Sequence, residues 1–130
     1  IGAGGIYNGS ATGGAATKGE EIVVGIIDTG INHDHPSFAE VGPVDGFDHT
    51  NPRGQFFGLC DPVLGTPFCN DKLIGARYFV AGFGKKNIAT ADYLSPRDGN
   101  GHGSHTTLLQ FKSAALVSCS TAARKILPRC

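Results

Sequence analysis

Apolar positions along the chain fall into three blocks separated by long polar, glycine-rich stretches. The first, Ile22-Val23-Val24-Gly25-Ile26-Ile27, carries no charge and ends abruptly on Asp28-Thr29-Gly30. A short β-branched run bounded in this way predicts a strand buried on both faces, of the parallel kind, with Asp28 at its carboxyl end. The second block, Leu73-Ile74-Gly75-Ala76-Arg77-Tyr78-Phe79-Val80, predicts another strand interrupted by a glycine. The third has a different rhythm. Leu108, Phe111 and Ala115 with Leu116 give a partial 3.6-residue stripe, which predicts a helix facing a core, with Gly103 and Ser104 at its entry.

The stretches between these blocks predict loops. Residues 1–18 are rich in Gly, Ala, Ser and Thr and read as an irregular lead-in, followed by Glu20 and Glu21 as solvated charges at the strand entry. Residues 31–38 hold Asn32, Asp34 and Pro36, which predict a turn stabilised by the Asn and Asp side chains. Residues 41–70 and 82–100 are again loop-like, with Lys85, Lys86, Arg97 and Asp98 expected as solvated charges.

Composition narrows the class. The chain has 130 residues, 40% of them apolar, which fits one domain burying about two-thirds of its unfolded surface. Eleven basic residues balance eleven acidic ones without a basic run, so nothing points to a nucleic-acid partner. No apolar stretch approaches the ~18 residues of a membrane span, which excludes a membrane partner of that kind and makes a soluble protein the expectation. The chain contains no methionine and begins at Ile1, so it is expected to be cut from a longer product. Its four cysteines include Cys60 and Cys69, which bracket a short Pro-containing loop. A disulfide there is expected to stabilise the fold by about 2.5 kcal/mol and implies an oxidising compartment.

The candidate chemistry starts at Asp28. At the carboxyl edge of an open α/β sheet, where ligands bind, an acid is more than packing, and its partner should lie on another loop. The block Gly99-Asn100-Gly101-His102-Gly103-Ser104-His105 offers it, with His102 and His105 competing for the role. His33, His35, Asp34, His102 and His105 supply enough donors for zinc in principle. Pro36 fixes a turn beside the first two, however, and neither Cys-x-x-Cys nor His-Glu-x-x-His occurs, so no metal and no cofactor is expected.

Taken together, Ile26-Ile27-Asp28-Thr29-Gly30-Ile31, His35-Pro36 and His102-Gly103-Ser104-His105 resemble the motifs of the subtilisin-like serine proteases, over roughly residues 19–107. The resemblance implies a subtilisin-like α/β fold, a mostly parallel β-sheet flanked by helices, of which this chain is the amino-terminal portion. It makes Asp28 the triad aspartate, His102 the triad histidine and a polypeptide the substrate; oligomeric state is left open. Residues 69–79 resemble the segment before the histidine in plant-type and related bacterial members, a branch dominated by secreted, extracellular enzymes. The chemistry fits these residue types. A serine hydroxyl is a weak nucleophile until a neutral imidazole takes its proton, and a carboxylate fixes that imidazole's tautomer.

The family's nucleophile block, Gly-Thr-Ser-Met-Ala, is absent, and Ser118 and Ser120 lack the Gly-x-Ser turn. The chain alone is therefore expected to be inactive. Residues 1–107 read as the peptidase part, and residues 108–130 as a divergent tail, helical or out of the family pattern, with Cys119 and Cys130 an extra pair or unmatched. Two other readings stand beside this one. Asp28-Thr29-Gly30 with Leu73-Ile74-Gly75 also resembles the small, dimeric aspartic proteases, and the chain could be a non-catalytic fragment.

Overall fold

The computed structural model describes residues 4–17, 19–60, 69–90, 92–110 and 115–121, from residue 109 onward by the backbone alone. The lead-in holds one helical turn, α1 (Gly4–Tyr7), and the chain then enters β1 (Val23–Asp28). A 3₁₀ turn over Pro36–Phe38 follows, then β2 (Phe57–Gly58), β3 (Leu73–Phe79), α2 (His102–Gln110) and β4 (Ala115–Thr121). The four strands form one sheet in the order β1-β4-β3-β2, and every pairing is parallel. Helices and a parallel sheet make this an α/β architecture. No helix among the described residues is long and apolar enough to cross a membrane.

A parallel sheet puts all strand carboxyl ends on one edge, and a helix that crosses over from one strand to the next must start at that edge. The chain leaves β3 at Phe79 and enters α2 at His102 before running on to β4. The first turn of α2 and the last residue of β1, Asp28, therefore meet at the same edge.

Two expectations about the apolar blocks change. β1 is not buried on both faces: it is an edge strand, and Ile27 is 52% exposed. Its alternation is that of a strand covered on one side, with Val24, Ile26 and Asp28 half-buried and Gly25 and Ile27 exposed. Val24 packs with Leu108 of α2 against the core of Ile31, Phe38 and Leu73, so Asp28 shares the helix-covered face. The helical stripe also ends early. α2 stops at Gln110, and Ala115 and Leu116 are strand residues paired with Val23 and Val24. Short apolar runs do not distinguish helix from strand by themselves, and here β4 supplies hydrogen-bond partners to β1 on one side and β3 on the other. Phe111 and Cys130 lie outside the described residues.

β3, flanked by β4 and β2, is well buried, with Leu73, Ile74 and Ala76 nearly inaccessible. Its register shifts between Leu73 and Gly75, the irregularity a strand glycine commonly marks. Its entry is fixed by Asn70, whose Oδ1 accepts from the Lys72 and Leu73 amides at 3.0 and 2.9 Å while Nδ2 donates to the Phe38 carbonyl at 2.9 Å. The two-residue β2 lies in a stretch read from sequence as loop; it gives no hydrophobic period of its own, and its pairing with Gly75 and Ala76 defines it.

Cys60 and Cys69 are joined, with Cα atoms 5.4 Å apart, tying the end of β2 to the start of β3. Replacing both, Cys60→Ala with Cys69→Ala, should lower the unfolding free energy by about 2.5 kcal/mol, the chain-entropy contribution of so short a loop. Urea unfolding of the oxidised and substituted chains measures it; identical midpoints would mean that the bond closes no loop in the native protein.

Candidate active site

Asp28 ends β1 and His102 begins α2, and the fold brings them into direct contact. His102 Nδ1 lies 2.8 Å from Asp28 Oδ1 and 2.9 Å from Oδ2. An ionised carboxylate only accepts, so Nδ1 carries the proton, and the neutral ring's remaining lone pair is on Nε2. The imidazole side chain is 64% exposed and the carboxylate 19%, so the bond is anchored from the protein side and the ring opens to solvent. None of the described residues hydrogen-bonds Nε2.

Asp28 is held from several directions. The Thr29 amide donates to Oδ1 at 2.7 Å, and Thr106 Oγ1, one turn along α2 from His102, lies 3.2 Å from Oδ2. Burial works against the charged carboxyl, but the bonds from His102, Thr29 and Thr106 and the attraction of His102 outweigh it and hold its pKa below the ordinary 3.8. His105 begins no such contact: its side chain is exposed, and its amide donates to the Gly101 carbonyl at 3.0 Å as part of the helix.

The close approach of helix and strand depends on Gly103. A Cβ there would stand 2.3 Å from the Gly30 carbonyl oxygen and 3.1 Å from the Thr29 nitrogen. The first turn of α2 therefore lies on the bare backbone that follows Asp28. Gly30 meets the same crowding from the other side, with φ at +128° and no room for a Cβ beside the Pro96 carbonyl.

Asp98, expected as a solvated charge, is instead the most heavily bonded side chain of the site. Its Oδ1 accepts from Thr29 Oγ1 at 2.9 Å, the Asn100 amide at 3.0 Å and the Gly101 amide at 2.8 Å. Its Oδ2 accepts from the Ser104 amide at 2.9 Å and from Ser104 Oγ at 2.6 Å. These bonds overcome the cost of burial and hold its pKa down to about 2. The signal was in the sequence: Asp98 and Asn100 just ahead of a helix start are capping residues, and a carboxylate there suits the positive end of the helix dipole. Reading Asp98 as one more solvated loop charge, although the helix start was placed at His102, passed over that role.

The loop after Gly30 also differs from expectation. Its turn is closed by the backbone, His35 N–H to the Asn32 carbonyl at 2.9 Å, and not by the Asn32 and Asp34 side chains. Asp34 reaches Arg97 Nη2 at 2.9 Å and His33 Nε2 at 3.1 Å, and Arg97 also lies over the Tyr93 ring, so this pair is partnered too. His35 Nδ1 accepts from the Ser37 amide at 3.2 Å and caps the 3₁₀ turn. Among the described residues, no three His, Cys, Asp or Glu side chains come together as a metal site.

No family model matches the sequence. Individual relatives do: the chain is 42% identical to the subtilisin-like protease SBT2.1 of Arabidopsis thaliana over 98 residues, 72% of this chain and 11% of that protein. It is 40% identical to SBT2.4 over 102 residues, 75% of this chain and 12% of the relative, and 40% identical to SBT1.4 over 97 residues, 68% and 12%, both also subtilisin-like proteases of Arabidopsis thaliana. The chain thus spans little more than a tenth of the length of the curated relatives it matches.

The depressed pKa of Asp98 sets an acid limit on stability. A folded-state value of about 2 against an ordinary 3.8 means that the contribution is fully present above 3.8 and is lost as pH falls from there through about 2; Asp28, also lowered, acts with the same sign. Urea unfolding followed downward from about pH 5 should show the loss concentrated in that window. A flat profile between those values would contradict the bonding of both carboxylates.

Proposed function

Because the chain belongs to the subtilisin-like proteases over the stretch those relatives match, we propose that it supplies the general base and the orienting acid of a serine endopeptidase whose nucleophile lies outside these residues. The observation that carries the proposal is the Nδ1 bond of His102 to both oxygens of Asp28, with the ring more exposed than buried. In this role Nε2 of the neutral imidazole takes the proton of a serine hydroxyl as the hydroxyl attacks a peptide carbonyl. Asp28 keeps the proton on Nδ1 and stabilises the imidazolium that forms, and the same ring then returns its proton to the leaving amine. A polypeptide substrate follows from this chemistry, and the Cys60–Cys69 bond supports an extracellular or otherwise oxidising setting.

Ser104 is no substitute nucleophile within the chain. Its hydroxyl donates to Asp98 and accepts from the Asn32 amide at 2.9 Å, so it is spent on holding the helix start. The aspartic-protease reading fares worse against the geometry. That chemistry needs two carboxylates sharing a proton, whereas both oxygens of Asp28 are engaged by an imidazole, and the surrounding sheet is parallel with a crossover helix.

The experiment has two arms. Titrated with a fluorophosphonate, the chain alone should show no stoichiometric serine labelling. In the longer protein carrying its own serine, His102→Ala should abolish most turnover and Asp28→Asn should lower it about 10⁴-fold, while His105→Ala loses far less. A folded His102→Ala enzyme with near-normal turnover would overturn the assignment.

A further inference from the structure

Three segments meet around one carboxylate, and the two residues that flank His102 are both fixed by that meeting. On one side, the Gly101 amide donates to Asp98 Oδ1 at 2.8 Å. On the other, the Gly103 amide donates at 2.9 Å to Thr29 Oγ1, whose own hydrogen goes to Asp98 Oδ1 at 2.9 Å. Thr29 directly follows Asp28. A second arm runs from Asp98 Oδ2 to Ser104 Oγ at 2.6 Å and from there to the Asn32 amide at 2.9 Å. The loop carrying Asp98 is itself strapped to the segment after β1, by Ile31 N–H to the Pro96 carbonyl at 3.0 Å and Asp98 N–H to the Ile31 carbonyl at 3.3 Å. The His102 amide has only a 3.3 Å bond to Asn100 Oδ1 of its own.

We infer that Asp98 is a positioning residue for the Asp28–His102 pair: by accepting from Thr29 on the strand side and from Gly101 and Ser104 on the helix side, its carboxylate sets the distance between them. This deepens the reading above and rests on it only for its consequence in catalysis; the positioning itself is a property of the folded chain. The carboxylate is needed because both oxygens must accept. Asp98→Asn has one acceptor oxygen for two sets of donors, so its NH₂ group would face either the Ser104 N–H and hydroxyl or the Thr29 and Gly101 donors. The helix start would then move off Gly30, and the Nδ1 bond to Asp28 would lengthen with it.

The test follows the Asp28 carboxyl by carbon-detected NMR titration in the chain with Asp98 and with Asp98→Asn, and involves no catalysis. Among the described residues, the charge attraction that lowers the Asp28 pKa comes from His102 in its protonated form. If Asp98 positions the pair, the Asp28 midpoint rises toward the ordinary 3.8 in Asp98→Asn, while the Leu73 and Ile74 amides keep their native shifts. Removing a nearby negative charge would by itself move Asp28 the opposite way, so an upward shift reports lost bonding. Should Asp98→Asn fail to fold, Ser104→Ala and Thr29→Val each cut one arm and should each raise the midpoint part of the way. An Asp28 midpoint that stays depressed in every folded variant overturns the inference, whatever the fluorophosphonate and turnover experiments give.

Discussion

The site depends on one short contact between backbones. α2 begins on the peptide that follows Asp28, so closely that a methyl group on Gly103 would sit within 2.3 Å of the Gly30 oxygen. Everything chemically notable lies within one helical turn of that contact: the imidazole of His102, the Thr106 hydroxyl beside Asp28, and the Thr29 hydroxyl beneath the Gly103 amide. The first amides of this helix, like those of any other, have no carbonyl partners within it. Asp98, Asn100 and Thr29 supply the acceptors in their place.

Two carboxylates are thereby held ionised at one helix start, with different tasks. Asp98 spends both oxygens on neutral donors of the protein, which makes it a fixture of the fold and accounts for a pKa near 2. Asp28 spends its oxygens on a ring that is open to solvent on its far side. A shift of the kind seen at Asp98 marks a structural anchor as readily as a functional site, and geometry decides between the two. Only Asp28 bonds a group with a free lone pair facing outward.

How much of this was legible in the sequence follows from what each signal reports. The β1 run and its terminal Asp28 were readable because a charge-free β-branched run ending in Thr-Gly has few structural uses. His102 was readable from its glycine flanks and the helix behind it. The edge exposure of β1 was not, since apolarity reports what a strand prefers and says nothing of which neighbours it receives. β4 was lost because Ala115 and Leu116 continue a helical spacing as well as they begin a strand, and sheet pairing with Val23 and Val24 decided the matter. Asp98 was lost for a different reason: an acid in a glycine-rich loop is ordinary, and although four of its five donors lie within six positions and fit a helix cap, the fifth, Thr29 Oγ1, comes from 69 positions away.

The most direct measurement is the protonation pattern of the His102 ring in the native chain, read from long-range proton–nitrogen correlations with the imidazole neutral. A proton resident on Nδ1, shifted downfield by the bond to Asp28, with Nε2 unprotonated, is the expected result. Residence of the proton on Nε2, or rapid averaging between the two nitrogens in the folded chain, would mean that Asp28 does not orient the ring, and the site would lose its claim to a poised base.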